Sequence, residues 1–115
     1  MTDEKKLLGI IGMCRGAGKA VIGVPMICEY LRGWAEKKRK PVENSVDVIV
    51  IEASDTSENT HKKISDKCIY YKVKHIKIDS TCEILGKAVG KSAVAAVAVA
   101  DPNFCRAVLG KIKED

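Results

Sequence analysis

No stretch of the 115-residue sequence approaches the ~20 consecutive apolar residues of a membrane-spanning helix. The opening residues, Met1 to Lys6, lead into an apolar run too short for a secretory signal, so a cytoplasmic location is expected. Cysteine pairing is missing as well. The five cysteines (Cys14, Cys28, Cys68, Cys82 and Cys105) are widely spaced, odd in number, and include no C-x-x-C and no neighbouring histidine pair. That pattern speaks against a disulfide framework and against a zinc site, so reduced core thiols and no metal are expected. Nor does linear spacing offer a nucleophile with a base, or carboxylates converging on a cleft. His61 falls among lysines on a helix surface and His75 lies between Lys74 and Lys77, so both are expected to be solvated. The sequence is not read as an enzyme.

Two glycine-lysine stretches imitate a nucleotide-binding loop and fail. Gly86 to Ser92 ends in Gly-Lys-Ser, but only three residues separate its glycines where four are needed. It also follows a helix and precedes a strand, the reverse of the order that aims a helix N-terminus at phosphate. Gly12 to Gly18 has five intervening residues, and Ala20 lacks the hydroxyl that would hold magnesium. No nucleotide or other cofactor is therefore expected.

What is present is an ordinary globular composition, 46% hydrophobic and 30% charged, with enough chain for one core. Residues 1–115 are read as a single domain. Twenty Lys and Arg against fifteen Asp and Glu give a net charge of +5, a modest bias towards polyanionic partners. Val48 to Ile51 is apolar on both faces and reads as an interior strand. Ser54, Asp55 or Ser57 can cap the helix that follows, whose face carries Thr60, Ile64, Cys68 and Tyr71.

Earlier in the chain, Leu7, Ile10, Ile11 and Cys14 follow helical spacing and stop near Gly16 and Gly18. Ala20 to Ile22 is a short strand. Gly23-Val24-Pro25 then turns into a helix with Ile27, Tyr30, Leu31 and Trp34 as its buried stripe. The segment 36–45 has no apolar period and is expected to be a mobile basic loop. After the central helix come a strand at Val73 to Ile78 and a helix capped by Asp79 or Ser80. A strand of Ala and Val from Ala93 to Ala100 follows, then a helix opened by Asp101-Pro102 with Phe104, Val108 and Ile112 inward. The order αβαβαβαβα predicts an α/β fold, a three-layer α/β/α sandwich around a mixed sheet of about four strands.

Several stretches recur in order in one family. Cys14-Arg15-Gly16-Ala17-Gly18-Lys19, Gly23, the run Ser54 to Thr60 with Lys62 to Cys68, and Leu85 to Lys91 before an Ala/Val strand are the residues concerned. Over roughly residues 5 to 113 the chain resembles the small bacterial, YlxQ-type relatives of the kink-turn RNA-binding ribosomal proteins of the L7Ae/L30e superfamily. The resemblance implies the same sandwich, and an RNA surface made of two elements. One is the N-terminus of the second helix, where the family carries Gly-x-Asn-Glu-x-x-Lys. The other is the loop after the Leu-Gly-x-x-x-Gly helix.

Mapped by position, the first element is Gly23, Val24, Pro25, Met26 and Glu29. Gly23 matches; Pro25 stands for Asn, Met26 for Glu, and Glu29 for Lys. The second element is Gly90, Lys91, Ser92, Ala93 and Val94. Lys19 is added as a nearby cation. Lys37, Lys38, Arg39 and Lys40 offer auxiliary phosphate contacts, against the alternative of a merely solvated charge run. Trp34 is weighed as a base-stacking side chain against core packing, with the core favoured. The expected partner is structured RNA, with ribosomal RNA or the ribosome among the candidates, bound by a monomer without catalysis. The alternative is a protein-interaction module on the same fold, with Met26, Ile27 and Cys28 as its apolar contact.

Overall fold

The ends of the strands decide what this fold can present, and they follow from which strands are apolar on both faces. The structure, a computed structural model, describes residues 4–37 and 47–112; of the segment expected as a loop at 36–45, residues 36 and 37 end a helix, while 38–45 and the side chains of Lys37, Lys38, Arg39 and Lys40 fall outside that description. Among the described residues nine elements alternate as expected: α1 (Glu4–Gly16), β1 (Ala20–Ile22), α2 (Val24–Lys37), β2 (Ile49–Glu52), α3 (Glu58–Tyr71), β3 (Lys74–Lys77), α4 (Cys82–Ala88), β4 (Ala96–Val99) and α5 (Pro102–Gly110). The strand order is β1-β4-β2-β3, with β2 and β3 parallel and β4 antiparallel to both its neighbours. The two strands read as interior, β2 and β4, are the two in the middle, and every residue of both is buried.

Alternation along these strands sorts the core into two layers. Ile49, Ile51, Val97 and Val99 face α1, α4 and α5, meeting Leu7, Ile11, Cys14, Leu85, Val89, Cys105 and Val108. Val48, Val50, Ala96 and Ala98 face α2 and α3, meeting Ile27, Leu31, Ile64 and Cys68. The alanines of β4 are thus confined to one face, where their small side chains let α2 and α3 sit close to the sheet. Tyr30 and Trp34 pack against this second layer, so Trp34 serves the core.

Two local expectations are corrected. Helix α4 is capped by Thr81, whose side chain accepts from the Ile84 N–H, and not by Asp79 or Ser80. Ser80 is turned elsewhere: its N–H and hydroxyl both donate to Glu4 Oε1, at 3.1 and 2.8 Å, tying α1 to the start of α4. Strand β4 begins at Ala96, three residues later than composition suggests. Ala93 to Ala95 instead cross α4, with the Val94 N–H on the Cys82 carbonyl at 3.0 Å. Gly86 makes the crossing feasible, since a Cβ there would lie 2.6 Å from Ala93 Cα. The cap of α3 is Ser57, which accepts from the Thr60 N–H, and α3 ends on Lys72 in the left-handed region, φ 57°.

Candidate nucleic-acid interface

Strand polarity brings four turns to one end of the sheet. Ile22 pairs with Val97, and Glu52 pairs with both Ala96 and Lys77. Hence the exits of β1, β2 and β3 and the entry to β4 lie together. The Gly23 N–H donates to the Ala96 carbonyl at 3.1 Å, which fastens the start of α2 to the chain arriving from Gly90 to Ala95. Gly23 holds φ +89° and Gly90 φ +72°, left-handed conformations that a side chain disfavours.

Helix α2 opens without a capping side chain and without an acid in its first turn. The first intrahelical bond is Ile27 N–H to the Gly23 carbonyl, at 3.0 Å. Pro25 has no N–H and the Gly23 N–H is taken, so Val24 and Met26 carry the remaining orphan donors of that turn. Pro25 and Glu29 are exposed, and Met26 is 56% exposed. Across the Gly23–Ala96 bond, Gly90, Lys91, Ser92 and Ala93 are exposed. The Lys91 N–H donates to the Gly86 carbonyl at 2.8 Å, which fixes the backbone that carries its ammonium.

Not every expected residue reaches this end. Val94 turns inward and is counted among the core side chains, so the exposed part of the loop is Gly90 to Ala93. Lys19 accepts from the Ala100 N–H beyond the Ala20–Val99 pair, at the opposite end of β1. At ~3.3 Å per residue, that is about 13 Å of backbone from Gly23. Ile27 is buried in the second core layer and Cys28 is half-buried, which leaves Met26 as the one exposed member of the alternative apolar contact. A cation not singled out in the sequence appears instead. Arg15, exposed in the last turn of α1, holds its guanidinium over Gly90, where a Cβ would meet Nη2 at 3.4 Å.

A second constellation lies at the same end of the sheet, on the β3 side. Glu52 is fully buried. His75 Nε2 lies 2.7 Å from its Oε1, His61 Nδ1 lies 2.9 Å from both oxygens, and Thr56 Oγ1 donates to Oε2. Both histidines are therefore engaged, and the expectation that they are solvated is corrected. Parallel pairing of β2 with β3 puts His75 beside the strand bearing Glu52, and the first turns of α3 bring His61 down onto it. Burial pushes the Glu52 carboxyl up, but the hydrogen bonds from Thr56, His61 and His75 and the charge of His61 outweigh it and hold the group below its ordinary value of 4.5.

All five cysteines are free. Burial pushes the Cys68 thiol up to about 12 and the Cys105 thiol to about 11, so these two stay protonated and unreactive at neutral pH. No helix among the described residues is long and apolar enough to cross a membrane.

Comparison with known proteins agrees with this architecture. Residues 29–109 match the model of the ribosomal protein L7Ae/L30e/S12e/Gadd45 family. The RNA-binding protein YlxQ of Bacillus subtilis (strain 168) is 33% identical over 100 residues, covering 87% of this chain and 88% of that protein. The RNA-binding protein YlxQ of Enterococcus faecium is 34% identical over 82 residues, 71% of this chain and 69% of that one. Among solved structures, a Bacillus halodurans protein of unknown function superposes with a TM-score of 0.75 at 27% identity, covering 95% of this chain and 98% of that one. The 15.5 kD RNA-binding protein of Giardia lamblia superposes with a TM-score of 0.66 at 16% identity, over 95% of this chain and 86% of that one, a likeness of fold.

Proposed function

Because this chain belongs to the ribosomal protein L7Ae/L30e/S12e/Gadd45 family, we propose that it is a non-enzymatic RNA-binding protein that recognises structured RNA by shape. The surface is the end of the sandwich where the open start of α2 meets the loop Gly90 to Ala93. One observation carries the reading: the Gly23–Ala96 hydrogen bond, which joins two sequence-distant elements into one surface. The orphan N–H groups of Val24 and Met26 suit a phosphate, reinforced by the positive end of the helix dipole. Lys91 and Arg15 add charge beside them, and Met26 and Ala93 add apolar area for an unstacked base. Kinks and bulges expose such base faces and edges, whereas a regular A-form helix hides them in its deep groove.

The substitutions in the helix motif shape the kind of recognition. Pro25 and Met26 in place of Asn and Glu remove the side-chain donors and acceptors that would read sheared G·A pairs. Glu29 puts a carboxylate where an ammonium is expected. Contacts to backbone and stacked bases then carry the affinity, with kink-turn geometry selected by its bend. A titration with a kink-turn RNA and a G·A-disrupted control, each at two salt concentrations, tests this. The expected result is micromolar or tighter binding to the kink-turn that weakens as salt rises, and weaker binding to the control. Equal, salt-sensitive binding to both would leave a generic electrostatic binder. Absence of binding to any structured RNA would favour the protein-interaction reading, with Met26 as its exposed apolar contact.

A further inference from the structure

The sandwich holds a group of donors that RNA binding does not use. We propose that Glu52, His61 and His75 form a binding site for a divalent transition metal of the zinc class, bridging β2, α3 and β3. The three side chains offer two imidazole nitrogens and one carboxylate oxygen, and these atoms all lie within 4.8 Å of one another. Two imidazoles and a carboxylate match the borderline-soft first-row divalent cations, and zinc above all.

The geometry is close to what a metal requires. Zinc–nitrogen and zinc–oxygen bonds of ~2.0–2.2 Å put neighbouring ligand atoms about 3.3 Å apart in a tetrahedron. The Glu52–His75 and Glu52–His61 separations of 2.7 and 2.9 Å fall just inside that value, so small side-chain rotations would open the site. The carboxylate is held ready, with Thr56 donating to its outer oxygen as an outer partner of a metal ligand does. His61 and Thr56 also line a surface groove with Glu58, Asn59, Lys62 and Lys77, which gives the ion a route in and a water a place to complete the shell.

Burial supplies the driving force. A fully enclosed carboxylate is costly unless a cation faces it. A divalent ion held by the two imidazoles and the carboxylate would supply that cation, and would clamp the first turns of α3 to the sheet. The thiols do not compete. Cys82 is pushed up to about 11 by burial and by Asp55, and Cys68 to about 12 by burial, so both hold their protons.

Cobalt(II), a spectroscopic substitute for zinc, tests the site in the untagged full chain after dialysis against a chelator. One equivalent is expected to give saturable visible d–d bands without a thiolate charge-transfer band, and zinc is expected to abolish them. Zinc should also raise the melting temperature. His61→Ala should lose both signals while keeping its far-UV circular dichroism, because His61 is half-exposed and outside the apolar core. His75→Gln repeats the test from β3, and Cys28→Ser should leave the response intact. A flat cobalt titration to millimolar concentration, or a response that persists in both histidine variants, would overturn the proposal.

Discussion

The Gly86→Val variant is expected to lose about 3 kcal/mol of folding stability, the upper end of what overpacking costs. A Cβ at position 86 would lie 2.6 Å from Ala93 Cα, 2.8 Å from its nitrogen and 3.0 Å from its carbonyl carbon. These are backbone atoms and cannot rotate away. The segment they belong to is pinned on both sides, by Lys91 N–H to the Gly86 carbonyl and Val94 N–H to the Cys82 carbonyl. Relief therefore requires moving the whole crossing, together with the exposed loop that carries Lys91. Gly9 supplies the contrast, since it lies within α1 with nothing inside 4 Å of its would-be Cβ. Gly9→Ala should be neutral or stabilise by up to ~1 kcal/mol through helix propensity. Urea unfolding of both variants checks the pair. A Gly86→Val midpoint indistinguishable from wild type would mean the loop does not cross α4 this closely.

Removing the Glu52 carboxylate is expected to cost a similar amount, about 3 kcal/mol at pH 7, and the cost should shrink in acid. Glu52→Ala deletes a buried anion together with the partner of Thr56, His61 and His75, and leaves their polar atoms at a partly enclosed site. The direction with pH follows from the depressed carboxyl. A group held below 4.5 when folded contributes stability that is fully present above 4.5 and is lost as pH falls through the folded value. Wild type and Glu52→Ala should therefore differ most at neutral pH and converge below it, when unfolding is followed in urea at several pH values. A difference that stays constant from pH 7 to 3 would mean that Glu52 titrates alike in the folded and unfolded chain, so that its hydrogen bonds do not favour the ionised form.

The order of elements and the mixed sheet are legible in the chain because β2 as far as Ile51 and all of β4 are apolar on both faces. Only the centre of a covered sheet accepts such strands. The helical faces are legible for a similar local reason, the spacing of Leu7, Ile11 and Cys14 or of Ile64 and Cys68. The entry to β4 is not legible. Ala93 to Ala95 have the composition of a strand, and what bends them over α4 is the clearance at Gly86, several residues away and on another element. The candidate surface divides along the same line. Gly23 and the Gly90 to Ala93 loop are marked by resemblance, while the guanidinium of Arg15 reaches Gly90 only through the packing of α1 on α4. Lys19, close to Gly23 in sequence, is carried to the other end by β1. The Glu52 cluster escapes linear reading altogether. Its histidines lie 9 and 23 residues from the carboxylate, and strand register and helix phase alone bring them together.

Lys91→Glu and Lys62→Glu make the same change of charge, one on the Gly90 to Ala93 loop and one on α3, which makes their comparison the most direct test of where RNA binds. Lys91 sits on the exposed loop joined to α2, whereas Lys62 lies on α3, paired with Asp66 at 3.1 Å. Long-range attraction is altered equally in both. Titrated with one kink-turn RNA at one salt concentration, Lys91→Glu is expected to weaken binding about tenfold, ~1.4 kcal/mol, and Lys62→Glu by less than about twofold. Equal losses from the two variants would contradict the account, because RNA would then respond to net charge and not to the surface made by the start of α2 and the Gly90 to Ala93 loop.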